Sequence, residues 1–173
     1  MAIDISLQAL NAKTLSSFLV IAILPLVIVG VVTFSMADGK SQRIVIGGSL
    51  LLLALVLSTA FYWQASAIRI KATPDELTVG GGLYQVSLPM SQVETKNIRV
   101  RAKDDKNHRV GPRTNGIGMP GFSLGWHRTT GDVKAFVAIT VSDKVVVIPT
   151  RAGYDILVSP PDPDTFVAEM RNL

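Results

Sequence analysis

Residues that could carry out catalysis or bind a metal ion are few in this chain, and their spacing is uninformative. His108 and His127 are the only histidines, and cysteine is absent. Thiolate nucleophiles, thiolate metal sites and disulfides are therefore excluded. The acidic residues near the histidines, Asp104, Asp105 and Asp132, form no zinc-ligand pattern. We expect surface or turn histidines, and neither a bound metal nor a cofactor.

Acid–base, nucleophilic and phosphate-binding patterns are equally weak. The pairs Asp75-Glu76 and Asp104-Asp105 are adjacent in sequence, so in strands or turns their side chains diverge. Counting residues does not exclude a Ser-His-Asp triad, but we expect no nucleophile elbow such as GxSxG. Gly80-Gly81-Gly82 lacks the GK[ST] sequence that completes a phosphate loop, so a flexible hairpin turn is favoured. The sequence thus predicts that the protein is not an enzyme.

Basic residues are concentrated between Lys96 and Arg113. Alternation places Arg99, Arg101 and Lys103 on one face of a strand. Beside an anionic membrane each basic group adds about 1 kcal/mol of attraction. The alternative is a solvated strand face with a charged loop. The candidate contacts with lipid or a partner protein are Arg99, Arg101, Lys103, Lys106, Arg109 and Arg113.

Nucleic acid is not an expected partner of this basic segment. Single-stranded nucleic acid is held by aromatic side chains interleaved with basic ones. Aromatic residues make up only 6% of this chain, and they do not alternate with the basic residues.

The charges are unevenly distributed along the 173 residues. Only five of the 30 charged residues lie in the first 65 positions, although 48% of the whole chain is hydrophobic. Such asymmetry is typical of a membrane part followed by a water-soluble part. We therefore divide the chain into residues 1–65 and residues 66–173.

The first part contains two uncharged apolar runs, at residues 15–36 and 44–63. Each is long enough to cross the roughly 30 Å hydrocarbon layer as a helix, and Pro25 is tolerated there. The polar residues 37–43 between them are few, so the helices must be antiparallel. The second run ends in an aromatic cluster typical of a membrane interface. These interface anchors are Phe61, Tyr62 and Trp63.

Cleavage of the first run as a signal peptide is the alternative, because Ser35-Met36-Ala37 fits the small-x-small rule. Its apolar stretch is longer than the usual signal core, which favours an uncleaved helix. Lys13, Arg69 and Lys71 flank one side of the hairpin, against two basic residues on the other. The positive-inside rule therefore predicts a multi-pass cell-membrane protein with a cytoplasmic C-terminal domain.

The sequence pattern of residues 66–173 is typical of a β domain. Short segments of alternating or continuous apolar residues predict about seven antiparallel strands. Residues 104–125 are rich in Gly, Pro, Asn and charge, and we expect a long loop there. Asp162 followed by Pro163 predicts a helix over about 162–173, which carries an apolar stripe. The predicted strands are 67–72, 76–79, 83–88, 93–102, 134–141, 145–150 and 154–159.

The order of these elements, together with the tail from Tyr154 to Phe166 (YDILVSPPDPDTF), resembles the bacterial pleckstrin-homology (PH-like) domains. The glycine-rich stretch from Gly116 to Gly121, upstream of Gly125-Trp126, is similar to one that these proteins carry. The resemblance covers about residues 66–173. It implies a seven-stranded bent barrel closed by the C-terminal helix. With the two transmembrane helices predicted from the apolar runs, the fold class is that of an α+β membrane protein. It implies no catalytic residues.

Two functional hypotheses follow from these patterns. The first is a non-enzymatic, membrane-anchored PH-like module that binds a membrane or cytoplasmic protein, or self-assembles, at the bacterial inner membrane. The second is a sensor of anionic lipid or its headgroup that uses the basic strand face. Both hypotheses include contact with membrane lipids, and both are compatible with a homo-oligomer.

Overall fold

The computed structural model describes residues 2–103 and 110–173. The helices are α1 (Ala12–Met36), α2 (Lys40–Ser66) and α3 (Pro163–Arg171). The strands are β1 (Ile3–Ser6), β2 (Arg69–Ala72), β3 (Glu76–Gly81), β4 (Tyr84–Pro89), β5 (Arg99–Ala102), β6 (Val110–Met119), β7 (Phe122–Thr129), β8 (Lys134–Ile139), β9 (Lys144–Ile148) and β10 (Asp155–Val158).

Helices α1 and α2 form an antiparallel hairpin that is longer than the apolar runs alone. The Asn11 side chain caps α1 by accepting a hydrogen bond of 2.9 Å from the Thr14 N–H. Within α1, Leu19–Ile23 widens to a π-helix, and Pro25 follows after Leu24. Proline has no N–H to donate, and the wider turn accommodates this break in the α-helical ladder. Only residues 37–39 connect the two helices.

The hairpin is held together at two places by close packing. Gly30 allows a close approach, because a Cβ atom on it would lie 2.8 Å from Leu50 Cδ1. Nearer the β domain, the rings of Phe18 and Phe61 stack with centroids 4.2 Å apart. The remaining apolar side chains of both helices are mostly exposed. Both helices are long and apolar enough to cross a membrane.

The strands of the β domain form two sheets, with orders β1-β2-β3-β4 and β5-β9-β10-β8-β7-β6. In the described residues these are open sheets, so the predicted closed seven-stranded barrel is wrong in this detail. Ten strands are described rather than seven, and β10 pairs with β8 in parallel. The additional strands are β1, β6 and β7.

Strand β1 precedes the helical hairpin but belongs to the β domain. It pairs antiparallel with β2, the first strand after the hairpin, from Ile3 opposite Ala72 to Ser6 opposite Arg69. The buried side chains of Ile3 and Leu7 join the main core. Residues 1–65 are therefore not a separate unit, and cleavage after Ala37 would remove a strand from the sheet.

The predicted loop over 104–125 is wrong for its described part, residues 110–125, which lie in the hairpin of β6 and β7. Bulges between Val110 and Asn115 break the alternation that would reveal a strand. Gly116 and Gly125 face each other across the pair. A Cβ atom on Gly116 would lie 2.2 Å from the Leu124 carbonyl oxygen, so glycine is needed for this close approach.

The central strands β8, β9 and β10 are buried on both faces. One face contributes Phe136, Ile148 and Ile156 to the main core, which also contains Phe166 and Met170 of α3. The other face forms a second buried apolar cluster. Its members are Ala135, Val137, Ile139, Val145, Val147 and Leu157. Burial on both faces explains the continuous apolar runs of these strands.

Helix α3 covers the main core, as the sequence predicts. The Asp162 carboxylate accepts a hydrogen bond of 3.1 Å from the Thr165 N–H at its N-terminus. The Thr165 hydroxyl also donates to this carboxylate, at 2.7 Å. The bond from the hydroxyl and the bond from the N–H lower the pKa of Asp162 and stabilise the first turn. At the other end, the Arg171 guanidinium donates to the Ile98 carbonyl at 2.9 Å, which ties α3 to the start of β5.

The turns of the β domain lie at two ends. One end contains the turns at 81–83, 120–121 and 140–143 and the connections from β1 to α1 and from α2 to β2. We call it the hairpin-side end. The opposite end, which we call the far end, contains the turns at 73–75, 130–133 and 149–154.

The buried N-terminal segment gives a first prediction. Leu7→Ala should lower the free energy of unfolding by about 2–5 kcal/mol, because it removes a buried leucine from the main core. The neighbouring exposed Gln8 provides a matched control, since Gln8→Ala removes no core contact. Thermal unfolding of the full-length protein in detergent measures both variants. Equal melting temperatures would contradict the assignment of this segment to the core.

Candidate functional site

The side chain of Gln64 joins helix α2 to the turn between β3 and β4. Its Nε2 donates to the Gly81 carbonyl oxygen at 2.8 Å. Its Oε1 accepts from the Leu83 N–H, also at 2.8 Å. Gln64 is 4% exposed, so both bonds are shielded from competing water. We call this pair of hydrogen bonds the Gln64 clamp.

The glycines of this turn allow it to approach the end of α2. A Cβ atom on Gly81 would lie 2.0 Å from the Ala67 carbonyl oxygen. Gly82 has a φ of +64°, and a Cβ atom there would meet the Gln64 amide. The triple glycine thus forms a hairpin turn, as predicted, but one held in place rather than flexible.

The turn between β6 and β7 makes a second contact, with the first residues of α1. Thr14 Oγ1 donates to the Gly121 carbonyl oxygen at 3.2 Å, and Ser17 Oγ donates to the Pro120 carbonyl oxygen at 3.3 Å. The hairpin-side end is thereby attached to both helices. With the β1–β2 pair, the domain and the hairpin are joined at three points.

The predicted aromatic anchors divide into two environments. Tyr62 and Trp63 are 63% and 54% exposed on the outer surface of α2. Phe61 instead stacks on Phe18 of α1 and packs partly against the main core. Among the three, therefore, Tyr62 and Trp63 can face a membrane interface, whereas Phe61 joins the two helices.

The candidate basic residues do not form one continuous row. Arg99 and Arg101 lie opposite Val147 and Val145, on the sheet face of the second apolar cluster. Arg113 lies in β6, the strand at the other edge of this sheet, and donates to the Gly118 carbonyl at 3.3 Å. Lys106 and Arg109 lie outside the described residues, as does His108.

Lys103 lies at the hairpin-side end. Its N–H donates to the Asp143 carbonyl oxygen at 2.9 Å, in the turn between β8 and β9. Val141 of the same turn is close to Gly121, because a Cβ atom on Gly121 would lie 3.1 Å from Val141 Cγ2. The C-terminal end of β5 is thus near the turn at 120–121 that contacts α1.

His127 is buried, contrary to the predicted surface histidine. It is 6% exposed, its Nε2 is 3.0 Å from Ser123 Oγ, and its Nδ1 is 3.2 Å from the Gly111 carbonyl oxygen. A carbonyl only accepts, so Nδ1 carries the proton and Nε2 accepts from the Ser123 hydroxyl. Burial lowers the pKa of His127, and the positive charge of Arg113 lowers it further.

The expectation that the chain contains no GxSxG sequence is wrong. Residues 121–125 read Gly-Phe-Ser-Leu-Gly, which matches GxSxG. In α/β-hydrolases this serine lies on a sharp strand-to-helix turn. Here Ser123 lies within β7, paired with Ile139 of β8. The motif therefore lacks its catalytic context, and the Ser123–His127 bond links two positions of one strand face.

Trp126 and Tyr154 pack against other side chains of the β domain. Trp126 packs edge-on against Phe136 and Tyr154, with centroids 5.3 and 5.0 Å away, and the Lys134 ammonium lies 4.1 Å from its ring centroid. Burial raises the pKa of Tyr154. Within residues 2–103 and 110–173, no group of three metal-ligating side chains is found. The prediction that no metal is bound remains a prediction.

The Gln64 clamp gives a second prediction. Gln64→Ala should lower the free energy of unfolding by about 1–3 kcal/mol, because it removes the acceptor of a shielded backbone N–H. It should also accelerate hydrogen exchange of the Leu83 amide, measured by mass spectrometry on the full-length protein. Gln85→Ala is the control, because Gln85 is exposed in the adjoining strand. Unchanged exchange at Leu83 would contradict the clamp.

Comparison with known proteins gives one family match. Residues 68–173 match the family model described as bacterial PH domain. No curated protein and no solved structure matches the chain. The match begins at the start of β2 and ends with α3, so it contains both described turns that contact the helical hairpin. The chain belongs to the bacterial PH domain family.

Proposed function

We propose that this protein is a non-enzymatic interaction module, anchored in the bacterial inner membrane, whose PH-like domain binds a protein partner or a second copy of the chain. Membership of the PH domain family and two apolar helices support a membrane-associated module. The Ser123–His127 pair does not argue for catalysis. Its histidine has a lowered pKa, and its second nitrogen bonds a main-chain carbonyl rather than a carboxylate.

In this proposal the helical hairpin crosses the membrane twice. The pairing of β1 with β2 keeps the start of α1 and the end of α2 on the same side, which supports an even number of crossings. The exposed apolar side chains of both helices need a nonpolar environment. Lys13, Arg69 and Lys71 lie on the domain side, and by the positive-inside rule this favours a cytoplasmic domain.

The attachment of the domain to its own hairpin is the observation that carries the proposal. The Gln64 clamp, the bonds of Thr14 and Ser17, and the β1–β2 pair limit rotation of the domain about the helices. A partner that binds the domain is then held at a defined height and orientation relative to the bilayer. Such rigid presentation suits recognition between proteins at the membrane.

The hairpin itself offers surface for self-assembly. Grooves of about 320 and 280 Å³ lie beside the close contact of Gly30 with Leu50. Gly47 lines both grooves, and space for a larger side chain is open around it. Small residues at such grooves allow another helix to approach closely in a membrane.

Native mass spectrometry of the full-length protein, extracted gently from its own membrane, tests this function. We expect defined oligomers or a stoichiometric protein partner. A Cβ atom on Gly47 meets nothing within 4 Å, so Gly47→Leu should place its side chain in the grooves and reduce any oligomer that uses them. Gly48→Leu is the matched control, because Gly48 is equally open but does not line the grooves. A strictly monomeric protein without a partner would contradict the proposal.

The position of Lys103 supports recognition of anionic lipid as a second candidate function. Lys103 follows β5 at the hairpin-side end, one turn away from the contact between Gly121 and α1. At that height a basic side chain can reach lipid headgroups, where each adds about 1 kcal/mol of attraction. Arg99 and Arg101 precede it on the same strand.

Exchanging Arg99, Arg101 and Lys103 together for Gln tests this candidate. In nanodiscs of mixed composition, we expect the variant to retain fewer anionic lipids than the wild type, as measured by native mass spectrometry. The control variant exchanges Lys96, Arg128 and Arg151 for Gln, which removes the same charge at the far end. Equal lipid retention by the wild type and both variants would rule out the basic strand as the lipid site.

A further inference from the structure

We infer that the turn between β3 and β4 inserts the side chain of Leu83 into the interfacial layer of the bilayer, so that the domain itself is a second membrane anchor. This inference rests on the proposed placement of the hairpin in the membrane. The Leu83 side chain would contact lipid at the boundary between the headgroups and the acyl chains.

The height of the turn follows from the Gln64 clamp. Gln64 comes directly after Trp63, and one helical residue corresponds to about 1.5 Å along the axis. Exposed tryptophan and tyrosine at the end of an apolar helix lie at the headgroup level. Because the clamp binds the backbone on both sides of Gly82, Leu83 is held near the level of Trp63.

The exposure of Leu83 is unusual for a large aliphatic side chain of the β domain. Leu83 is 74% exposed, and the other exposed large hydrophobic residues described in the domain are Val133 and Val141. Val141 is also at the hairpin-side end, whereas Val133 is at the far end. Two of these three side chains are therefore beside the helices.

The turn can be dehydrated at low cost. The sequence contains no charged residue between Glu76 and Glu94, so the turn itself takes no charge out of water with Leu83. The nearest charge on the paired strand is Arg69, opposite Gly80, and its exposed side chain can keep the guanidinium among the headgroups. The Leu83 N–H and the Gly81 carbonyl oxygen are already bonded to Gln64. A polar backbone group that keeps its hydrogen bond avoids most of the penalty of leaving water.

The absence of cysteine from the sequence allows spin labels to be placed without background. Leu83→Cys carries the test label, and Val133→Cys is the control, because it is an exposed apolar side chain in a turn at the far end. Val56→Cys, exposed in the middle of α2, reports insertion of the hairpin itself. The full-length protein is reconstituted in nanodiscs at one copy each, and access to oxygen and to a water-soluble nickel complex is measured.

We expect the Leu83 label to show a higher ratio of oxygen to nickel access than the Val133 label, and a lower ratio than the Val56 label. Nickel access at Leu83 equal to that at Val133, with Val56 shielded, would overturn the inference while leaving the membrane anchor intact. Nickel access at all three positions would instead refute the proposed placement of the hairpin, and the inference with it.

Contact with a second copy of the chain is distinguished by the single-copy nanodiscs. Shielding of Leu83 that appears only in nanodiscs with several copies would overturn insertion into lipid. In single-copy nanodiscs, lipids labelled with nitroxide near the headgroup should quench a fluorophore at Leu83 more than one at Val133. Equal quenching at the two positions would also overturn the inference.

Discussion

The pairing of β1 with β2 is the interaction on which the arrangement of this protein depends. These strands lie on either side of a helical hairpin in the sequence, from Ile3 opposite Ala72 to Ser6 opposite Arg69. Once they pair, the start of α1 and the end of α2 must lie at the same end of the domain. Two turns of the domain then come within hydrogen-bonding distance of the helices.

Polar side chains at the helix ends convert this proximity into a fixed arrangement. Gln64 supplies both a donor and an acceptor to the turn at 81–83, with its bond to Gly81 buried and its bond to Leu83 partly buried. Thr14 and Ser17 bond main-chain carbonyls of the turn at 120–121. These side chains belong to the helices, but their partners belong to the domain. The unit that would respond to a partner or a bilayer is therefore the hairpin and the domain together.

In the six-stranded sheet, the central strands are apolar and the edge strands carry basic residues. Its central strands are buried on both faces, which suits a stable support. Its edge strands, β5 and β6, carry Arg99, Arg101 and Arg113. The buried Ser123–His127 pair adds a hydrogen bond to one face, with the histidine kept neutral by its lowered pKa.

Elements with local sequence signals are the ones that can be predicted without the fold. The uncharged runs before Trp63 predict two apolar helices, because the length and composition needed to span a bilayer can be counted. Asp162 and Pro163 mark the start of α3 through local capping. Continuous apolar runs predict central strands, and the tail after Tyr154 indicates the family later matched.

Contacts between segments that are distant in the sequence depend on the fold and cannot be predicted from local patterns. No local pattern before α1 indicates that β1 pairs with a strand beyond the hairpin, because such pairing depends on contacts far apart in sequence. The bulges of β6 hide its alternation, so the sequence predicts a loop where the β6–β7 hairpin lies. In the sequence, Gln64 is simply a polar residue after an aromatic anchor. Its role in attaching the domain to α2 depends on Gly81 and Leu83 lying next to it in the fold. Its two hydrogen bonds exist because the fold brings a turn and a helix end together.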